Sequence, residues 1–320
     1  NRRGEVQCST SNSQLARKST PRVVSHNVPT RKHSKKWTNG SVNFAAQTNA
    51  MKKALILFGI VAFTVACTTV PITGRKQMNL LPESQMVGMA ATSYNQFLGA
   101  NQMLATNDPR AQQVKQVGEK IAAAATRYLQ AKGASDRVAG FKWSFNVAQS
   151  NEVNAWCMPG GKVVFYTGIL PVCQDEDGIA VVMGHEVAHA IARHGNERMS
   201  QGLLVQGGGM ALDLATAMTN QPEQTRSLFQ QAYGIGATVG AILPFSRLQE
   251  SEADEMGLIF TAMAGYDPSK AVPFWERMSR LGDQRPPEFL STHPDPEKRS
   301  AKLAEQVRMA RAHAIKYGTN

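Results

Sequence analysis

Gly184-His185-Glu186-Val187-Ala188-His189 is the stretch from which the rest of this chain is read. On a helix, positions i and i+4 stand one above the other on one face, so His185 and His189 can aim two imidazoles at a single metal ion. Glu186 lies one residue round from the first of them. It can reach a water beside the metal without binding the metal itself, which suits a general base. Just upstream, Asp175, Glu176 and Asp177 place negative charge where a helix start favours it. Downstream, His194-Gly195 offers a cationic-capable last turn and a glycine just past the helix end. Residues 179–183, then Ala188, Ala190 and Ile191, are apolar nearly all round, the pattern of a helix buried in a sizeable protein. Buried His and Glu side chains must be satisfied, and a metal ion does so directly.

Two histidines leave a zinc ion short of a protein ligand. The best supplier is Ser246-Arg247-Leu248-Gln249-Glu250-Ser251-Glu252-Ala253-Asp254, a second helical stretch that follows an apolar run. Glu250 and Asp254 are i,i+4 and share a face. Glu250 is expected to bind the metal and Asp254 to accept the far N–H of a ligating histidine. Glu252 lies roughly 200° round the helix from Glu250 and is expected to point away.

The formal charge of +11 is concentrated at the front of the chain: residues 1–53 hold eleven Lys/Arg against the single acid Glu5. The remainder is close to neutral, which argues against nucleic acid as a partner. Met51-Lys52-Lys53, a short apolar run and Thr64-Val65-Ala66-Cys67 have the layout of a bacterial export signal, too short to span a bilayer. Its end is similar to a lipobox, with Cys67 as the residue to be lipidated; plain cleavage after Ala66 is the alternative. Residues 1–50 read as sequence upstream of a start at Met51, or else as an Arg- and Ser-rich, acid-poor import segment. Excluding them, the expected organisation is a signal at 51–66, a lipid-anchored tether at 67–81 and one large domain at 82–320. Cys157 and Cys173 are expected to be free, mostly buried thiols.

Along that domain, Pro82-Glu83-Ser84 opens one helix and Pro109 a second, each with apolar residues at helical spacing. Residues 140–147 alternate as a half-buried strand. Residues 153–157 and 163–167 flank the turn Pro159-Gly160-Gly161 as a hairpin leading into the metal helix. Gly207-Gly208-Gly209 and residues 233–245 mark Gly-rich apolar helices packed through small residues, neither of them a convincing membrane span. The fold class expected is mainly α with a small antiparallel sheet beside the metal helix.

Taken together, Asn154-Ala155, Pro159-Gly160-Gly161, the HEVAH with Arg193-His194 behind it, Ser246-Arg247, the Glu250/Asp254 pair and Thr292-His293-Pro294 with Arg299 form an ordered set. In that set the sequence resembles the gluzincin metallopeptidases related to the CaaX prenyl endopeptidase and the HtpX heat-shock protease, and among them the soluble, lipoprotein-type bacterial periplasmic members. The resemblance implies a zincin-like domain and a zinc endopeptidase with one Zn²⁺ per chain. It also implies a role in envelope protein quality control, on the periplasmic side of a bacterial membrane, acting on unfolded polypeptides. It places His293 and Arg299 in the active site, where His293 either donates to the oxyanion or caps the metal in a resting state. His194, 180° round the helix from His185, is expected to be structural. Asn154, Ala155 and Trp156 form a candidate edge strand onto which an extended substrate adds. An envelope chaperone with little proteolysis is the rival function, and Glu186 speaks against it because a binding protein has no use for a general base.

Overall fold

The computed structural model of the protein describes residues 67–205, 223–233, 245–282, 288–294 and 296–318. The expected upstream segment, the export signal and most of the two Gly-rich apolar runs lie outside the described residues.

The stretch expected to be a tether is part of the fold. Strand β1 (Cys67–Thr69) pairs antiparallel with β2 (Lys76–Met78), and Val70 in the connecting turn is fully buried. From β2, the Gln77 side-chain amide donates to the carbonyl of Ala192 at 2.8 Å. Strands of three residues are too short for an alternating pattern to stand out, so the segment reads as irregular in the sequence.

Helix α1 (Glu83–Ala100) buries Met86, Met89, Ala90 and Tyr94. Helix α2 (Pro109–Ala131) starts at a Pro in its first position, capped by Asp108, and buries the stripe Val114, Val117, Ile121, Ala125 and Tyr128. Then come β3 (Ser144–Ala148), β4 (Ala155–Met158) and β5 (Lys162–Tyr166). The turn between β4 and β5 needs left-handed backbone twice in succession, at Gly160 and Gly161 (φ 79° and 76°), which glycine adopts without steric cost. A turn that tight makes β4 and β5 antiparallel, but β3 lies on the other side of β5 and runs parallel to it. The sheet, of order β3-β5-β4, is therefore mixed and not wholly antiparallel, and β4 is an edge strand. Strand direction was not readable at β3, because a half-buried pattern looks the same in either orientation.

A short turn of helix, α3 (Leu170–Cys173), leads into α4 (Glu176–Ala192), on which every residue from Gly178 to Ala192 is buried. Asp175 caps α4 by accepting from the Gly178 amide at 2.8 Å. The helix ends earlier than expected. Arg193 takes a left-handed conformation (φ 61°), and His194 begins a new helix, α5 (His194–Val205), so Gly195 is not the terminating glycine. Helices α6 (Glu223–Tyr233), α7 (Arg247–Met263), α8 (Ala271–Gly282), α9 (Glu288–Thr292) and α10 (Pro296–Tyr317) follow among the described residues. Ser246 and Gln249 form a reciprocal capping box at the start of α7.

Around α4 the core gathers Tyr128, Phe165, Phe260, Phe274, Trp275 and Phe289, all at 2% exposure or less. The result is mainly helical with a small sheet, the class expected. Cys157 and Cys173 are free and buried, and no helix among the described residues is long and apolar enough to cross a membrane.

Candidate active site

The site exists because two helices approach unusually closely. At the crossing of α4 and α7, Gly184 faces Gly257. A Cβ on Gly257 would lie 2.7 Å from the backbone nitrogen of His185, and one on Gly184 would lie 2.6 Å from the Gly257 carbonyl oxygen. Bare backbone on both sides lets a carboxylate one or two turns along α7 reach imidazoles on α4. The Thr261 hydroxyl sits in the crossing, within hydrogen-bond distance of the carbonyls of Gly257 on its own helix (2.8 Å) and Ala180 on α4 (3.1 Å).

Four side chains then converge. The Nε2 atoms of His185 and His189 stand 3.0 Å apart, and Glu250 oxygens lie 3.6 and 3.4 Å from them. His293, on the loop after α9, brings its Nδ1 to 3.2 Å from His185 Nε2 and 3.0 Å from Glu250 Oε1. All four residues are buried and their ligand atoms lie within 4.8 Å of one another. The far side of His185 fixes its tautomer. Its Nδ1 faces Asp254 Oδ1 at 3.1 Å, so Nδ1 carries the proton and Nε2 presents a lone pair to the cluster. Two imidazole nitrogens 3.0 Å apart need a proton or a cation between them, and a carboxylate beside them favours the cation. The donor set of nitrogen and carboxylate oxygen fits zinc.

Arg299, from the first turn of α10, clasps the carboxylates from behind. Its Nε donates to Asp254 Oδ2 at 2.8 Å and its other nitrogens reach Glu250 and Asp254, while the guanidinium lies 3.7 Å above the Trp275 ring. Burial pushes the Glu250 carboxyl upward, but His293, Arg299 and His189 outweigh it and hold the group well below the usual carboxylate range. Glu186 goes the other way. Burial, reinforced by the charge of Glu250, raises its carboxyl to about 7 against the opposing pull of His293. Its Oε1 makes no hydrogen bond and sits 3.4 Å from His293 Nε2. A buried carboxyl poised near neutrality can both take up and release a proton.

Asn154, Ala155, Trp156, Glu186, His189 and His293 line one cavity of ≈ 20 Å³, room for about one water. Cys157, Tyr233, Phe245 and Thr292 complete its wall. Cys157 and Thr292 were named in the sequence for other reasons, as a buried thiol and in the Thr292-His293-Pro294 motif, whereas Tyr233 and Phe245 carried no signal there, because single aromatic residues have no spacing to read. The Phe245 ring lies against His189 at a tilt of 34°, with ring centroids 3.8 Å apart, so its place next to a metal-binding helix comes from tertiary contact alone. Glu252 points away from Glu250 as its helical angle requires, yet it is buried against His194 at 3.2 Å.

Comparison with known proteins extends these observations. The description Peptidase family M48 matches residues 108–307. The chain is similar to Mitochondrial metalloendopeptidase OMA1 of Schizosaccharomyces pombe, at 34% identity over 256 residues that cover 79% of this chain and 70% of that protein. It is similar to the protein of the same name in Arabidopsis thaliana at 36% identity, covering 58% of this chain and 36% of the relative. Escherichia coli Beta-barrel assembly-enhancing protease is 25% identical over 79% of this chain and 50% of the relative. The chain thus spans half or less of the latter two proteins. Relatives named as mitochondrial overturn the expected placement in a bacterial periplasm. The case for a lipid on Cys67 rested on bacterial export and loses its support with it. The match to M48 runs over more than half of the chain and takes in the whole convergent cluster, so the chain belongs to peptidase family M48 and is a zinc-dependent metalloendopeptidase.

Proposed function

We propose that the protein is a quality-control endopeptidase that cleaves unfolded or misassembled polypeptides, recognising extended backbone more than side-chain sequence. The observation that carries this reading is the position of β4. It is an edge of its sheet among the described residues, and Ala155, Trp156 and Cys157 on it wall the same cavity as Glu186 and His189. An extended segment added along β4 gains main-chain hydrogen bonds and brings its scissile bond to Glu186. A similarity to a protease named for enhancing β-barrel assembly supports misassembled membrane proteins as one substrate class. The relatives named as mitochondrial support a mitochondrial setting, for which the basic, acid-poor residues 1–50 suit an import segment.

In this reading His185, His189 and Glu250 hold the zinc, which when bound supplies Lewis acidity toward the water and the scissile carbonyl. Glu186 accepts the proton of the attacking water and passes it to the leaving amine, two transfers that a carboxyl lifted toward neutrality serves well. Asp254 orients His185 through its Nδ1–H, and Arg299 anchors Asp254 and Glu250 together. His293 caps the cluster in a resting state, because its ring nitrogens already face Glu250, His185 and Glu186. The nearly filled cavity agrees with a closed state that must open to admit a peptide. A chaperone that only binds is disfavoured, since it has no use for a buried, unbonded Glu186 oxygen.

Casein cleavage by the full chain, with zinc measured on the same samples, tests the reading. Glu186→Gln should keep about one zinc and lose cleavage. A Glu186→Gln variant as fast as wild type ends the proposal. His293→Ala should cleave faster than wild type if the histidine is a cap. A fall of roughly 10²–10³-fold would make it an oxyanion donor instead.

A further inference from the structure

We propose that His194, Glu252 and Arg75 form a second positioning arm of the metal centre, which fixes His189 from behind and ties the β1–β2 hairpin to the active site. The arm is a continuous hydrogen-bonded chain. His189 Nδ1 faces His194 Nδ1 at 3.0 Å, and His194 Nε2 faces Glu252 Oε2 at 3.2 Å. Arg75, just before β2, donates from Nε to the same Glu252 oxygen at 2.8 Å. Its two terminal nitrogens fork onto the Glu197 carboxylate at 2.6 and 2.7 Å, and Thr73 donates to the other Glu252 oxygen. His194 is fully buried and Glu252 is 4% exposed.

Proton placement along the chain follows from the metal. A histidine that binds through Nε2 keeps its proton on Nδ1, so His189 donates and His194 Nδ1 must accept. A neutral His194 then carries its proton on Nε2, where Glu252 is the acceptor. Every donor has an acceptor, and a single tautomer satisfies all links. Were His194 a donor at both nitrogens, His189 would need its proton on Nε2 and could not offer that atom to the metal.

The arm mirrors the one behind His185, where Asp254 and Arg299 play the corresponding parts. In each, the nitrogen of a ligand that faces away from the metal ends on a carboxylate held by an arginine. The difference is the interposed imidazole of His194. Arg193 in left-handed conformation turns the chain so that His194 stands beside His189, with ring centroids 4.9 Å apart. Helix α7 thereby supplies all three carboxylates: Glu250 at the metal, Asp254 behind one histidine and Glu252 behind the other. Arg75 lies outside the span matched to the peptidase family, so the hairpin adds to the centre from beyond it.

The inference rests on His189 being a zinc ligand, and His189→Ala serves as the check on that premise: it should abolish zinc binding. In the full chain, zinc affinity measured against a competing chelator should fall about 10–100-fold for His194→Ala and for Glu252→Gln, the range expected for a group holding a ligand in place. Arg75→Ala should weaken affinity in the same direction. The visible spectrum of the cobalt-substituted protein should shift in His194→Ala, a change that a cluster merely clamping the hairpin would not cause. Should His194→Ala fail to fold, Glu252→Gln, which keeps the size but removes the negative charge that holds His194 and Arg75, decides the matter. Wild-type affinity and cobalt spectrum in the foldable variants overturn the arm while leaving the zinc peptidase intact. Zinc retained by His189→Ala overturns the premise itself.

Discussion

Glu250 and Asp254 are carboxylates on one face of one helix, and their surroundings give them different work. Glu250 reaches both histidine Nε2 atoms, whereas Asp254 stands behind His185 and is held by Arg299. In the proposed site, removing Glu250 takes away a ligand and leaves Arg299 with a lost partner, so Glu250→Ala should lose zinc outright. Asp254→Ala leaves three nitrogen and oxygen donors in place but frees the His185 ring, and should weaken zinc by roughly 10–100-fold. Zinc content after dialysis and chelator competition separates the two outcomes. An Asp254→Ala protein with no zinc and a Glu250→Ala protein with full zinc would reverse the assignment. Most of this was legible from i,i+4 spacing. What spacing could not supply was Arg75, more than a hundred positions from both carboxylates it joins.

Between α4 and α7 the Gly184–Gly257 crossing sets the distance over which those carboxylates act. In Gly257→Ala the added methyl meets backbone, the His185 nitrogen at 2.7 Å and the Gly184 carbon at 2.8 Å, and backbone cannot swing aside as a long side chain can. Overpacking of this kind costs typically about 1–3 kcal/mol, and here the displacement falls on the ligand geometry as well. Gly257→Ala should therefore unfold at lower urea concentration and bind zinc more weakly. A variant with wild-type stability and zinc affinity would show that the helices do not meet so closely. Helix existence was legible at α2, α4 and α7 from apolar period and caps. The close crossing was not, since a glycine within a helix carries no mark of the partner it faces.

Across the molecule, the cluster draws ligand atoms from α4, α7 and the loop after α9, and Arg299 adds α10. An ion bound there cross-links elements distant in sequence, so its removal should loosen the whole domain. At a free zinc concentration of 100 times the dissociation constant, binding adds about 2.7 kcal/mol. For a domain of this size that corresponds to a melting-temperature difference of roughly 5–10 °C. Thermal scans with and without chelator should show it, with the largest loss of hydrogen-exchange protection in α4 and α7. An unchanged Tm would mean that the cluster does not depend on an ion.

The helix carrying His185, Glu186 and His189, the Glu250/Asp254 pair that faces its histidines, and the mainly helical class were legible in the order of residues, because each is written in residue types at short, fixed intervals. Packing alone put residues 67–81 in the domain, made the sheet mixed, and brought His194 and Glu252 together behind His189. These depend on which way an element faces after packing. Helical period states that Glu252 points away from Glu250, but it cannot state what waits on the other side.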